Sequence, residues 1–123
     1  MTRRRIVEER GELFGRALEH FILMEILAHR AYRDLGYEVH FWRMKSGLEV
    51  DFVLGDGEIA VEVKGTPRVD PSDLRSLRAF MEDNRPRHAI LVCNERAPRL
   101  VDGIEILPWR DFLARLWGGH ILS

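Results

Sequence analysis

From about Val7 to Leu35, apolar residues recur every three to four positions, at Leu13, Phe14, Ala17, Leu18, Phe21, Ile22, Leu27, Ala28, Tyr32 and Leu35. That spacing predicts a long helix, closed by Gly36. Three short runs rich in Val, Ile, Phe and Trp follow, Tyr37 to Arg43, Leu48 to Leu54 and Glu58 to Lys64, separated by Lys45-Ser46-Gly47 and Gly55-Asp56-Gly57. They predict three consecutive antiparallel strands. Asp70-Pro71-Ser72-Asp73 supplies capping chemistry for a helix that carries Leu74, Leu77, Phe80 and Met81 and ends near Asp83-Asn84. The continuous apolar run His88 to Cys93 predicts a strand covered on both faces, Gly103 to Leu107 a shorter strand, and Pro108 the start of a last helix through Phe112, Leu113, Leu116 and Trp117. The third strand, the second helix and the fourth strand should form a right-handed parallel crossover, so the expected fold is α/β, a mixed sheet with helices packed on it.

The second and third strands carry the chemistry. Alternation puts Val50, Phe52, Leu54, Ile59, Val61 and Val63 on one face, and Glu49, Asp51, Val53, Ala60, Glu62 and Lys64 on the other. A four-residue loop from Gly55 to Glu58 makes paired residue numbers sum to 113, which sets Asp51 opposite Glu62. Like charges so placed oppose folding unless something neutralises them. A hard divalent cation such as Mg²⁺ would do so, taking one or two carboxylates and leaving room for a phosphate and an attacking water. Lys64, two residues beyond Glu62, could orient that water or stabilise charge developing on phosphorus. The alternative is a solvent-facing hairpin whose polar side happens to be charged, with Lys64 paired to a carboxylate. Glu19, on a helix stripe with Gly15, Ile22, Leu23 and Ile26, adds a carboxylate that needs a partner among aliphatics.

With 123 residues, 46% hydrophobic and 32% charged, the chain has the size and composition of one globular domain, spanning 1–123 with no ATPase domain. A single cysteine excludes an internal disulfide and a Cys-based zinc site. The formal charge of -1 argues against nucleic-acid binding by bulk charge alone. Arg3-Arg4-Arg5 is not backed by the apolar stretch of a signal peptide, and no apolar run reaches the length of a membrane span, so a cytoplasmic protein without membrane association is expected. Neither a P-loop nor a dinucleotide-binding glycine motif occurs.

The helix glutamate, Glu-Val-Asp51-Phe-Val, the short turn and Val-Glu62-Val-Lys64-Gly together resemble the PD-(D/E)XK nuclease superfamily of restriction-endonuclease-like folds. More narrowly, Gly15-Arg-Ala-Leu-Glu19-His-Phe21-Ile22, Phe41-Trp-Arg43, Gly47-Leu-Glu-Val-Asp51-Phe and Ala60-Val-Glu62-Val-Lys64 resemble the C-terminal nuclease-like domain attached to a family of AAA-type ATPases of unknown function. The resemblance implies Asp51 and Glu62 as ligands of Mg²⁺ or Mn²⁺, with the Val63 backbone carbonyl beside them. It implies Lys64 as the catalytic lysine and Glu19 as the carboxylate completing the acidic cluster. Val50 stands where the superfamily's proline would be, a change that removes no chemical group.

Glu25 is expected to be exposed or paired with an arginine, the five histidines to be structural or at the surface, and Cys93 to be an inert core residue. Trp42, Trp109 and Trp117 are expected to pack rather than stack on bases. Arg68, Arg75, Arg78, Arg85 and Arg87 could contact phosphates, but their acidic neighbours favour a paired, solvated surface. Two functions fit the sequence. One is a metal-dependent nuclease acting on DNA phosphodiesters; the other is a non-catalytic binding or assembly module that partners an ATPase or nucleic acid. A homodimer is the expected assembly.

Overall fold

The computed structural model describes residues 11–122. Helix α1 (Glu12–Tyr32) leads into strands β1 (Val39–Arg43), β2 (Glu49–Leu54) and β3 (Ile59–Val63). A single 3-10 turn (Pro71–Leu74) opens helix α2 (Arg75–Asp83), and β4 (His88–Cys93), β5 (Arg99–Val101), β6 (Ile104–Pro108) and helix α3 (Trp109–Trp117) follow. The Val7–Arg10 part of the expected first helix lies outside the described residues.

Helix α1 stops short of Gly36. Asp34 takes the left-handed conformation (φ 55°), and the amides of Asp34 and Leu35 donate to the carbonyls of Ala31 and Arg30. This is the Schellman pattern, with aspartate in the position glycine usually fills. At the start of α2 the capping chemistry forms as expected: Asp70 accepts from the Ser72 amide, and Asp73 accepts from the Asp70 amide, each at 3.0 Å.

The strands form one mixed sheet in the order β1-β2-β3-β4-β6-β5. β3 pairs parallel with β4, and β4 parallel with β6, while the remaining neighbours are antiparallel. The expected parallel crossover through α2 is therefore present. β5 is an addition to the expected elements, a three-residue edge strand hairpinned to β6 through Asp102-Gly103, both at positive φ (51° and 83°). Two left-handed residues in a two-residue loop match the twist of the strands they join.

Helices cover both faces. On one, Ile22 and Ile26 of α1 and Phe112 and Leu116 of α3 pack over Phe52, Leu54, Val61 and Val92. On the other, Leu77 and Phe80 of α2 pack over Val53, Ala60, Leu91 and Ile106. Every residue of β3 is buried, Glu62 included, so the hairpin is not the solvent-facing one of the alternative reading.

Val50 corrects the expected alternation, for it packs with Val53 under α2 rather than with Phe52 under α1. The cause is a bulge. His40 faces Val53 and Trp42 faces Val50, so the single residue Phe41 stands against both Asp51 and Phe52. Such an insertion bends the strand and re-aims its side chains, and here it falls at the candidate metal ligand.

Candidate active site

The expected register holds: Leu54 faces Ile59, Val53 faces Ala60 and Phe52 faces Val61. Regular pairing ends there, although both strands continue. Beyond it, the Val63 amide donates to Asp51 Oδ2 at 2.8 Å, and the Asp51 amide donates to Glu62 Oε1 at 3.3 Å. Side chains thus take the place of backbone partners where β2 and β3 part, and Asp51 and Glu62 are brought together as the register of 113 requires. In an extended strand a residue's carbonyl points to the same side as its amide. The Val63 carbonyl therefore lies on the Asp51 side of β3.

Glu62 is 5% exposed, a carboxyl buried on an interior strand of the sheet. Burial first, and then the neighbouring Asp51 charge, push its pKa up to about 8, against the pull of Lys64. Asp51 rises to about 6, mainly through burial, with Glu19 adding to the rise and the Val63 amide opposing it. Two carboxyls this close, and both shielded from water, hold a proton near neutral pH unless a cation replaces it. Lys64 Nζ stands 3.7 Å from Glu62 Oε2, with its side chain 42% exposed. The ammonium group therefore reaches both the buried acid and solvent.

These groups fit a hard divalent ion. Among the described residues no hydrogen bond engages Asp51 Oδ1, and Glu62 Oε2 meets only the Lys64 ammonium. Two carboxylates and a main-chain carbonyl match the sparse oxygen set that Mg²⁺ accepts from proteins, the rest being water and phosphate. Among the described residues no group of three or more His, Cys, Asp or Glu side chains is arranged to hold a metal ion. Glu19 stands near enough for its charge to act on Asp51, but it does not join the pair. It is half-buried, and among the described residues it has neither hydrogen-bond nor ion partner.

The chain after Lys64 runs against the first turns of α1, with Gly65 on Gly15. Glu19 lies one helical turn beyond Gly15, so this contact fixes its height above Asp51. Beside it opens a groove of about 570 Å³, lined by Gly11, Gly15, Lys64, Thr66, Arg68 and Asp73. Gly65 and the groove were not singled out from the sequence, although a glycine directly after Val-Glu-Val-Lys is a fair signal of close backbone approach.

Most of the remaining candidates take structural roles. Glu25 is held by Trp117, whose indole donates to it at 3.0 Å, so it ties α3 to α1 instead of meeting an arginine. Arg78 pairs with Asp102 and Arg87 with Glu58, whereas Arg68, Arg75 and Arg85 have no ion partner among the described residues. His88 pairs with Glu105, and His40 with Glu38. His29 is fully buried against Trp117 and Tyr37. Trp42 packs edge-on against Phe80, and Trp109 against Phe21. Cys93 is fully buried, and burial pushes its thiol up to about 11.

Fold and site together define an α/β domain with two carboxylates and a lysine at the parted ends of two interior strands. Residues 14–112 match the family described as a domain of unknown function, DUF4143, and the chain belongs to that family. No curated protein and no solved structure matches the chain. No helix among the described residues is long and apolar enough to cross a membrane.

Proposed function

We propose that this domain is a metal-dependent nuclease of restriction-endonuclease-like type that hydrolyses DNA phosphodiester bonds. The observation that carries the reading is the pair of half-buried Asp51 and buried Glu62 brought together where β2 and β3 part, with Lys64 3.7 Å from Glu62. Carboxyls so placed must hold either a proton or a cation, and a site that serves a cation accounts for their being kept together. DNA as substrate comes from the resemblance of Asp51, Glu62, Lys64 and Glu19 to the PD-(D/E)XK pattern.

Asp51 and Glu62, with the Val63 carbonyl, would hold Mg²⁺ or Mn²⁺. The ion would supply Lewis-acid charge to the phosphoryl oxygens and to the attacking water. Lys64, tethered to Glu62 yet open to solvent, would orient that water or meet the negative charge that develops on phosphorus. Glu19, lacking a protein partner among the described residues, would hold further water around the ion. Incubation with plasmid, single-stranded, flapped and four-way-junction DNA in Mg²⁺ or Mn²⁺ tests the reading. Cleavage of at least one substrate is expected, and none with any of them contradicts it.

A second reading has an observation of its own. Leu13, Phe21 and Met24 are 40–49% exposed along α1, an apolar stripe suited to another protein chain. This favours a non-catalytic binding or assembly module that partners an ATPase or nucleic acid, or a homodimer through α1. Light scattering across a concentration series separates self-association from a partner of another kind.

A further inference from the structure

Phe41 is 77% exposed, among the most exposed large apolar side chains of the described residues. Its position is unusual for such a residue. β1 is the edge of the sheet, and Phe41 alone stands opposite the bulge formed by Asp51 and Phe52. Its ring lies 6.3 Å from that of Phe52, which belongs to the core beneath α1. Neighbouring strands are about 4.8 Å apart, so Phe41 stands one strand from Asp51, with Glu62 on the strand beyond it. The groove of Lys64, Thr66 and Arg68 adjoins Glu62 through the Lys64 ion pair. A nucleic-acid chain held at Asp51 and Glu62 would have the exposed Phe41 ring one strand away from Asp51.

Charge narrows what that chain is. Arg43 is paired with Glu49 and Lys64 with Glu62, and the whole protein carries -1. Among the described residues lining the groove, Arg68 is the cation without an ion partner, and phosphate contacts from one arginine alone would give weak binding. Aromatic stacking on bases supplies affinity where charge does not, and it requires bases whose faces are free. In a duplex those faces are already stacked.

We infer that Phe41 is a stacking platform for an unpaired base next to the scissile phosphate, which makes single-stranded or locally unpaired nucleic acid the substrate class of this site. The inference rests on the nuclease reading and narrows it.

The test is fluorescence anisotropy of the full chain in Mg²⁺ with three labelled probes: an oligodeoxythymidine, an abasic oligonucleotide of equal length and a blunt duplex. Wild type should bind oligodeoxythymidine most tightly, with a shallow salt dependence. Phe41→Ala should weaken that binding roughly five- to 150-fold, the range of one stacked base, and leave the abasic probe unaffected. Phe41→Trp should restore it. Because the side chain is exposed, an unchanged melting temperature for Phe41→Ala will show that the fold is kept. Wild type binding abasic and thymidine probes equally, or Phe41→Ala binding thymidine as wild type does, overturns the inference. If wild type also cuts DNA, the nuclease reading survives that result. If wild type binds none of the probes and cuts no DNA, both fall together.

Discussion

Gly65 lies so close to Gly15 that a Cβ built on it would stand 3.1 Å from the Gly15 Cα and 2.9 Å from the Phe14 ring. Backbone meets backbone here, where the strand carrying Glu62 ends and the helix carrying Glu19 begins. Gly65→Ala must push α1 away or distort the end of β3. Overpacking of this kind costs about 1–3 kcal/mol, and it shifts Glu19 and Lys64 relative to Asp51. Denaturant unfolding should register the loss of stability, and cleavage should fall further than stability alone explains. A variant with wild-type stability and activity would show that the contact positions nothing.

The carboxylate pair sets a pH dependence. In the fold Glu62 is pushed up to about 8 from 4.5, and Asp51 to about 6 from 3.8. Between those limits the folded chain binds more protons than the unfolded one, so stability is highest at the acid end and is lost as pH rises. Buried His29, its pKa lowered by burial, acts in the opposite sense, losing stability as pH falls below its ordinary 6.5. Comparison with Glu62→Gln removes the His29 contribution, which both proteins share. In EDTA, the melting temperature of wild type should fall relative to that of Glu62→Gln from about pH 5 to about pH 8. Parallel curves would mean that Glu62 is not held protonated by the fold.

A bound ion should reverse that loss. A ligand of the folded state at a hundredfold excess over its Kd adds about 2.7 kcal/mol, which for a domain of this size is a rise of several degrees. The ion must displace the proton held by the pair, so the rise should be larger at about pH 8 than at about pH 6. Asp51→Ala should abolish it. No shift at millimolar Mg²⁺ or Mn²⁺ at either pH would exclude the proposed ligand set.

How much of this was legible follows from which signals are local. The register of β2 against β3 followed from alternation and loop length, because one face of each strand had to be apolar; the approach of Asp51 to Glu62 came with it. The bulge at Asp51 and Phe52 was not legible, since it arises from how β1 pairs across and leaves no mark in the β2 sequence. Val50 was therefore placed on the wrong face. The end of α1 was misread because Gly36 is the stronger cue, whereas Asp34 adopts the left-handed turn with help from the Arg30 and Ala31 carbonyls. β5 is too short, at three residues, to show alternation, although Asp102-Gly103 is a hairpin signal in its own right. Glu19, expected to complete the acidic cluster, acts on Asp51 through its charge but stands apart from the carboxylate pair, a separation set by helix packing that no spacing encodes.

The central claim is that Asp51 and Glu62 hold an ion while Lys64 acts on the reaction, and cleavage measured beside metal binding in the same variants tests it most directly. On a DNA substrate that wild type cuts, Lys64→Ala should keep the metal-induced rise in melting temperature and lose cleavage. Asp51→Ala should lose both, and Glu19→Gln should lose part of the cleavage with the metal response intact. Cleavage undiminished in Lys64→Ala and Asp51→Ala would contradict the account and assign the activity to something other than this site.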